Sequence, residues 1–223
     1  MRRPLAAAIV ILFMLAGLSP VTLAAGSQQR EVKSLSEDFD ASGYEGITLE
    51  VSVGEVHILG ADVEKVSAEV RVRCPRRMDL DECRDRADDV EITADDSRGM
   101  LVLEVKGLSK WRSRGMNVDV HFTVPEDLPF ELDMGIGEVE IVDLRSDLKV
   151  DLGIGEVSVR MDESVVGSVT LDNGIGESDL LYSDGKQSAS GFLAGKDVVW
   201  EKGPGTHEVI IELNIGEIEV RLQ

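Results

Sequence analysis

Hydrophobic and polar residues alternate through most of the second half of the chain, and a short glycine-containing phrase interrupts the alternation several times. Before one phrase the apolar positions are Val150, Leu152 and Ile154, and after it they are Val157 and Val159, which is the opposite phase. Strand side chains alternate between two faces with a period of two, so a change of phase indicates an inserted residue. Glycine accepts the backbone geometry that such an insertion needs. Each phrase therefore predicts a strand, a glycine bend and a second strand, with the apolar positions on both sides of the bend facing the core.

The phrase recurs at a nearly constant interval. The glycine that anchors the phrase, which is the second one where two are present, stands at six positions: Gly54, Gly137, Gly155, Gly176, Gly195 and Gly216. Over the last five copies the steps are 18, 21, 19 and 21 residues, an interval typical of stacked repeats. The copy at Gly195 is degenerate, and the long gap after Gly54 requires an insertion or differently paired strands. These features predict an all-β, repeat-built β-solenoid or β-roll of short strands with glycine bends, preceded by a more irregular β region with a small cysteine-containing loop.

Glutamate directly follows the glycine in five copies and falls on the outward-facing phase. The five residues are Glu55, Glu138, Glu156, Glu177 and Glu217. If the repeats stack in register, their carboxylates form an outward acidic column with about 4.8 Å between neighbouring strands.

The start of the chain has the features of a secretory signal peptide over residues 1–25. A basic segment precedes an apolar run, and Ala24 and Ala25 form a small-residue cleavage site. Residues 26–45 are mostly polar and predict a flexible linker with at most a short strand near Phe39, so that residues 46–223 form a single β-repeat domain. The protein is therefore predicted to be exported to the periplasm, the cell surface or the extracellular space.

Two cysteines, Cys74 and Cys83, lie before the regular repeats. In an oxidising compartment two lone cysteines usually pair, so we expect a disulfide that closes a small loop. A metal site is less favoured, because the spacing is not Cys-x2-Cys and no histidine lies nearby.

The charge balance disfavours several partners. The chain contains 23 Lys and Arg against 43 Asp and Glu, a formal net charge of -20. The field of such a surface opposes nucleic acid and anionic membranes, and leaves cationic partners, metal ions or solubility as its role.

Basic residues cluster at two places in this acidic chain, and they form a candidate anion-binding patch for envelope polymers or lipid headgroups. Its members are Arg76, Arg77, Lys110, Trp111, Arg112 and Arg114. The alternative interpretation is that these clusters neutralise carboxylates of the same protein.

A family resemblance follows from three features together. The signal peptide, the Phe-Thr-Val-Pro segment at residues 122–125 and the repeated Gly-x-Val-x-Val phrases resemble the bacterial "putative adhesin" family of β-strand-repeat envelope proteins, called toastrack in cell-envelope stress systems. The resemblance covers about residues 45–223. It implies a right-handed parallel β-solenoid or β-roll and a non-enzymatic adhesion, scaffolding or binding role at the envelope, with a polymer or protein as partner. It supplies neither catalytic residues nor a cofactor.

A calcium-dependent β-roll binding module is the first alternative. Asp133, Asp151 and Asp172 join the outward glutamates, and Ca²⁺ prefers oxygen ligands. The chain lacks the Gly-Gly-x-Gly-x-Asp pattern of calcium-loaded β-rolls, so calcium is the weaker hypothesis.

A polysaccharide-active β-helix enzyme is the second alternative. Such an enzyme needs clustered carboxylates beside sugar-stacking aromatic residues in a cleft, and this chain has few aromatic residues and short loops between its repeats. His57, His121 and His207 have no serine or cysteine partner at a readable spacing. The residues therefore favour a non-enzymatic protein.

The last residues continue a strand pattern without a polar capping repeat. A bare final strand exposes unpaired backbone groups, so we expect self-association or strand addition through this C-terminal edge.

Overall fold

The computed structural model describes residues 29–108, 115–192 and 197–223, and strands make up most of these ranges. The predicted signal peptide lies outside the described residues. The strands are β1 (Gln29–Asp40), β2 (Gly46–Ala61), β3 (Lys65–Pro75), β4 (Glu91–Ser97), β5 (Met100–Lys106), β6 (Asn117–Pro125), β7 (Phe130–Val142), β8 (Leu148–Met161), β9 (Val166–Tyr182), β10 (Gly185–Phe192), β11 (Val198–Trp200) and β12 (His207–Leu222). A short helix, α1 (Leu80–Ala87), lies between β3 and β4.

The strands form one twelve-stranded sheet whose main path runs β1-β3-β6-β2-β7-β8-β12-β9-β10. Its centre consists of five long parallel strands in the order β2, β7, β8, β12 and β9. Beside β2 the sheet divides, because the first half of β2 pairs with β5 and the second half pairs with β6. Beside β9 it divides again, with β11 along the first half and β10 along the second. The all-β prediction is therefore confirmed.

The five parallel strands are aligned at their glycines. The residues paired across the sheet are Gly54, Gly137, Gly155, Gly216 and Gly176 in that order, which we call the glycine ladder. Each has a φ between +145° and +156°, a backbone conformation that residues with a Cβ rarely adopt. The sixth predicted glycine, Gly195, lies outside the described residues.

Neighbouring backbones approach each other too closely at the ladder to admit a side chain. A Cβ on Gly155 would lie 1.7 Å from the carbonyl oxygen of Gly137, and a Cβ on Gly216 would lie 1.7 Å from the carbonyl oxygen of Gly155. A Cβ on Gly137 would lie 1.8 Å from the carbonyl oxygen of Gly54. Both the backbone conformation and the available space therefore require glycine at these positions.

The strand order differs from that of a solenoid whose repeats stack in chain order. The last strand, β12, lies between β8 and β9 and pairs with both in parallel register. The prediction of self-association through a free C-terminal strand edge is therefore wrong, because both edges of β12 are already paired. Every copy of the phrase presents the same residues to its neighbours, so the pattern did not indicate which copies would lie side by side.

The prediction of a flexible linker over residues 26–45 is wrong for much of its length. Residues 29–40 form β1, which pairs antiparallel with β3. β1 lies at one end of the sheet path, and only Val32, Leu35 and Phe39 of this strand pack against the core. An edge strand with a solvated face needs few apolar residues, which is why its sequence looks like that of a linker.

The core lies on the inner face of the parallel strands, where apolar residues are aligned in rows across the sheet. One buried row precedes the glycine ladder and contains Leu49, Leu132, Val150, Ile211 and Leu171. A second buried row follows the ladder and contains Val56, Val139, Val157 and Ile218. The two rows flank the ladder, so burial on both sides of the bend holds each strand in place.

The isoleucine directly before each ladder glycine does not belong to this core. Ile154 and Ile215 are each 44% exposed and Ile175 is 38% exposed, whereas Leu152 is fully buried. The isoleucine and the glutamate two residues later are exposed on the same face of the sheet. The alternation of buried and exposed residues therefore shifts before the isoleucine. The prediction that these isoleucines face the core is wrong, because the pattern alone does not show whether the alternation shifts before the isoleucine or at the ladder glycine after it.

The disulfide predicted between Cys74 and Cys83 is confirmed, and both residues are fully buried. It joins the end of β3 to α1, whose first turn is capped by Asp79 through hydrogen bonds from the backbone N–H groups of Asp81 and Glu82. A bridge that closes a loop of this size contributes roughly 2–3 kcal/mol, mainly by restricting the unfolded chain.

Replacing Gly155 by alanine tests the ladder. We expect G155A to lower the free energy of unfolding by roughly 3 kcal/mol or more, because strained backbone and overlap with the Gly137 carbonyl act together. The measurement is urea denaturation followed by circular dichroism.

Gly43 provides the matched control, since its φ is +88° but nothing lies within 4 Å of its Cβ position. G43A should therefore lose only about 1 kcal/mol, from backbone strain alone. Equal losses in the two variants would show that close approach does not require glycine at the ladder.

Candidate functional site

The outer face of the five parallel strands is organised in rows that cross the sheet. Residues at equivalent positions of the five strands are neighbours across the sheet, about 4.8 Å apart. The glutamate row is Glu55, Glu138, Glu156, Glu217 and Glu177. The aliphatic row is Val53, Ile136, Ile154, Ile215 and Ile175. The far acidic row is Glu50, Asp133, Asp151, Glu212 and Asp172.

The structure places the five glutamates noted in the sequence on five adjacent strands. Four of them are exposed, and Glu55 is partly buried. Beyond Glu55 the row continues with Asp119 of β6, which is 5% exposed and forms an ion pair with Arg73 at 2.6 Å. The buried end of the row thus has an internal counter-ion.

The far acidic row was only partly recognised from the sequence. Sequence reasoning noted the aspartates at 133, 151 and 172, but it missed Glu50 and Glu212, which the register aligns with them. Glu104 of β5 extends the row beyond Glu50. The signal was available, because an acidic residue stands at the same distance before the glycine in every ladder strand.

Basic side chains pair with other acids and leave the members of both rows on the five parallel strands without counter-ions. In this region Arg160 pairs with Glu140, Arg221 with Glu219 and Lys186 with Asp179. Among the described residues, no ion pair involves a member of either row on these five strands. Beyond β2, at the ends of the rows, Asp119 pairs with Arg73 and Glu104 pairs with Lys106. The outer face therefore presents negative charge that solvent or a partner must compensate.

A groove of about 380 Å³ lies along the glutamate row. Seven carboxylates line it, together with His57, Ser158 and three aliphatic residues. The carboxylates are those of Glu138, Glu140, Glu156, Glu177, Asp179, Glu217 and Glu219. Neither tyrosine nor tryptophan is part of this lining. Trp200 is instead buried beside Tyr182, with 5.4 Å between ring centroids.

The described residues contain no group of three or more His, Cys, Asp or Glu side chains that could hold a metal ion. Calcium requires six to eight oxygen ligands at roughly 2.3–2.6 Å. Carboxylates supplied once per strand, about 4.8 Å apart, do not by themselves converge on one such point.

Two histidines that looked isolated in the sequence stack on each other. The rings of His57 and His121 are 4.6 Å apart and nearly parallel, because β2 and β6 place the two residues opposite each other. His57 Nδ1 lies 3.1 Å from Glu140 Oε2. Partial desolvation, and then the neighbouring His57 and Arg71, lower the pKa of His121 below its usual value, while Asp119 and Glu69 oppose the shift.

The anion-binding patch is described only in part. Arg76 and Arg77 are exposed in the turn after β3, while Lys110, Trp111, Arg112 and Arg114 lie outside the described residues. The neighbouring Arg71 forms an ion pair with Glu69 at 2.6 Å. Arg71 pairs with Glu69 and Arg73 pairs with Asp119, so both neutralise carboxylates of the same protein, as the alternative interpretation predicts.

Solved structures resemble this fold at low sequence identity. A putative cell adhesion protein from Clostridium sporogenes matches with a TM-score of 0.50 and 17% identity, over 87% of this chain and 100% of that one. This chain has the fold of that adhesion protein. The resemblance to the adhesin family noted from the sequence is therefore confirmed at the level of the fold.

Weaker matches include a putative lipid binding protein from Parabacteroides distasonis, with a TM-score of 0.29 and 14% identity over 84% of this chain and 94% of that one. A putative adhesin from Parabacteroides merdae has a TM-score of 0.29 and 8% identity over 84% of this chain and 77% of that one. No protein-family model and no curated protein matches the chain.

Within the described residues, no helix has the length and apolar character needed to cross a membrane.

Neutralising one member of the glutamate row should stabilise the protein. Glu156 lies between Glu138 and Glu217 on adjacent strands, and like charges directly opposite each other are destabilising. We expect E156Q to raise the free energy of unfolding by about 0.5 kcal/mol at low salt, with a smaller gain when salt screens the row. Glu37, exposed on β1 opposite Ala68, is the control, and an equal gain in E37Q would contradict repulsion within the row.

The stacked histidines should make stability depend on pH. The folded state holds the pKa of His121 low, so below about pH 6.5 the unfolded chain binds a proton that the folded protein resists. Stability should therefore fall as pH decreases from about 7.5 to 5.5, and H121Q should reduce this fall. H57Q removes the neighbouring ring and its charge but leaves the desolvation of His121, which is the larger cause, so it should reduce the fall less. Thermal denaturation at both pH values is the measurement, and an unchanged fall in H121Q would contradict the assignment.

Proposed function

We propose that this chain is an exported, non-enzymatic module of the bacterial cell envelope that binds a polymer or protein partner through its outer face, in adhesion or scaffolding. The observation that carries the proposal is the register of the five parallel strands. Each strand presents an acid, an aliphatic residue and a glutamate at the same outward positions, so a partner meets a regular surface about 19 Å across, four strand spacings wide. The glycine phrases are, in this proposal, copies of one structural repeat.

Several features support an exported binding protein. The disulfide is typical of an oxidising compartment, and the predicted signal peptide would deliver the chain there. The fold likeness to the C. sporogenes adhesion protein agrees with a binding role. We infer that residues 29–223 act as a single domain, since β1 pairs with β3 in the same sheet as the repeats.

The geometry favours binding over catalysis. Ser158 and His57 both line the acidic groove, but the hydrogen bond described for His57 is to Glu140. A sugar-cleaving site would need aromatic rings beside its carboxylates, and the groove's described lining has no tyrosine or tryptophan. A calcium-dependent module remains the alternative, supported by the two uncompensated acidic rows.

Retention on bacterial envelope fractions tests this function. The full chain is mixed with washed envelope material and separated by sedimentation. Reversing two outer-face charges, in E138K/E156K, should reduce retention at least about tenfold, which corresponds to about 1.4 kcal/mol. The matched control is E37K/D38K, which makes the same charge change at exposed positions of the edge strand β1.

Equal retention of the two variants would contradict binding through the outer face, and no retention of the unaltered chain would contradict an envelope role. Retention that disappears in chelator and returns with Ca²⁺ would favour the calcium-dependent alternative.

A further inference from the structure

The aliphatic row is an exposed apolar strip on an otherwise charged face. Three of the six exposed large hydrophobic residues among the described positions, Ile154, Ile175 and Ile215, belong to it. Ile154 lies on β8, Ile215 on β12 and Ile175 on β9, at equivalent positions of three neighbouring strands. Scattered exposed aliphatic residues need no explanation, whereas a continuous apolar strip marks an interaction surface.

Acidic rows flank this strip on both sides. The glutamate row lies two residues after it along each strand, about 7 Å away, and the far acidic row lies three residues before it, about 10 Å away. The surface therefore has three parallel lanes, acidic, apolar and acidic, that run across the five strands. On these five strands the members of the two acidic lanes form no ion pair described in the structure, although nearby acids such as Glu140 and Glu219 are paired.

We propose that these three lanes bind a cationic amphipathic α-helix of another molecule, laid across the parallel strands. The proposal rests on the proposed binding function and names the chemistry of its partner. A helix can direct one apolar stripe at the aliphatic row and place Lys or Arg on either side of that stripe, against both acidic rows. An extended strand alternates its side chains between two faces, so it cannot serve three lanes in this way.

The dimensions suit a short helix. The aliphatic row spans about 19 Å, which a helix of about 13 residues covers at 1.5 Å per residue. Successive helical turns are about 5.4 Å apart and successive strands about 4.8 Å apart, so one apolar residue per turn stays near one aliphatic residue per strand over this length.

Binding of two synthetic peptides to the full chain tests the proposal. One contains only Leu and Lys, with leucines on one helical stripe and lysines on both sides of it. The other has the same composition in an order that disperses the leucines. Both carry a fluorophore and are titrated by fluorescence anisotropy at low and high salt.

We expect the striped peptide to bind and the dispersed peptide to bind at least about tenfold more weakly. I154S/I215S should weaken the striped peptide about tenfold. L59S/V199S removes two exposed aliphatic residues outside the row and should leave binding unchanged. E156Q/E217Q should weaken binding and reduce its salt dependence.

Equal binding of both peptides would overturn the proposal in favour of simple charge attraction. Unchanged affinity in I154S/I215S would also overturn it. Concentration-dependent self-association that I154S/I215S abolishes, without peptide binding, would assign the surface to a second copy of the chain. Envelope retention that persists when the striped peptide fails to bind would remove this inference and leave the proposed function standing.

Discussion

The close approach of backbones at the glycine ladder is the constraint on which the rest of the structure depends. The carbonyl oxygens of four ladder glycines each lie 1.7 or 1.8 Å from the place where a Cβ of the neighbouring ladder glycine would stand, and these four are Gly54, Gly137, Gly155 and Gly216. The strands can therefore meet only where glycine faces glycine. A slip of one residue would bring a bulky side chain into that space and would also move core residues to the solvent face. The ladder consequently selects one register for five strands at once.

That register converts a repeated phrase into rows of like residues on both faces of the sheet. On the inner face the rows are apolar, and their burial stabilises the fold. On the outer face the same alignment places acidic residues beside one another, which opposes folding through repulsion. Repetition thus makes the interior regular at the expense of concentrated charge outside. Such a surface gains from a cationic partner, because each added cation relieves repulsion as well as making a contact.

Much of this arrangement follows from local patterns that a sequence displays. The glycine phrase, the glutamate after it, the pairing of Cys74 with Cys83 and the short helix beyond β3 all depend on neighbouring residues. The patterns do not report where a strand lies in the sheet. β1 is polar because it lies at an edge of the sheet. The isoleucines are exposed because the alternation of buried and exposed residues shifts before them and not at the ladder glycine. Neither circumstance is visible until the strands are paired.

Long-range alignment was harder still to foresee. His57 and His121 stack because β2 and β6 are neighbours, although the residues are far apart in sequence and no motif connects them. The sequence did not predict which strands pair with β12 either, because every ladder strand has a similar pattern of residues along its edge. The far acidic row, in contrast, was present in the sequence as an acid at a fixed distance before each glycine. It was missed in part because aspartate and glutamate share the position.

The central place of β12 also governs when the molecule can be completed. β8 and β9 are made earlier in the chain, yet their facing edges are joined only by a strand that follows both of them in sequence. Until that strand arrives, two unsatisfied parallel edges stand opposite each other, and pairings of long sequence separation form slowly. A chain that emerges from its N-terminus would thus keep its sheet open while β8 and β9 are already exposed, and would close it only once β12 itself has emerged.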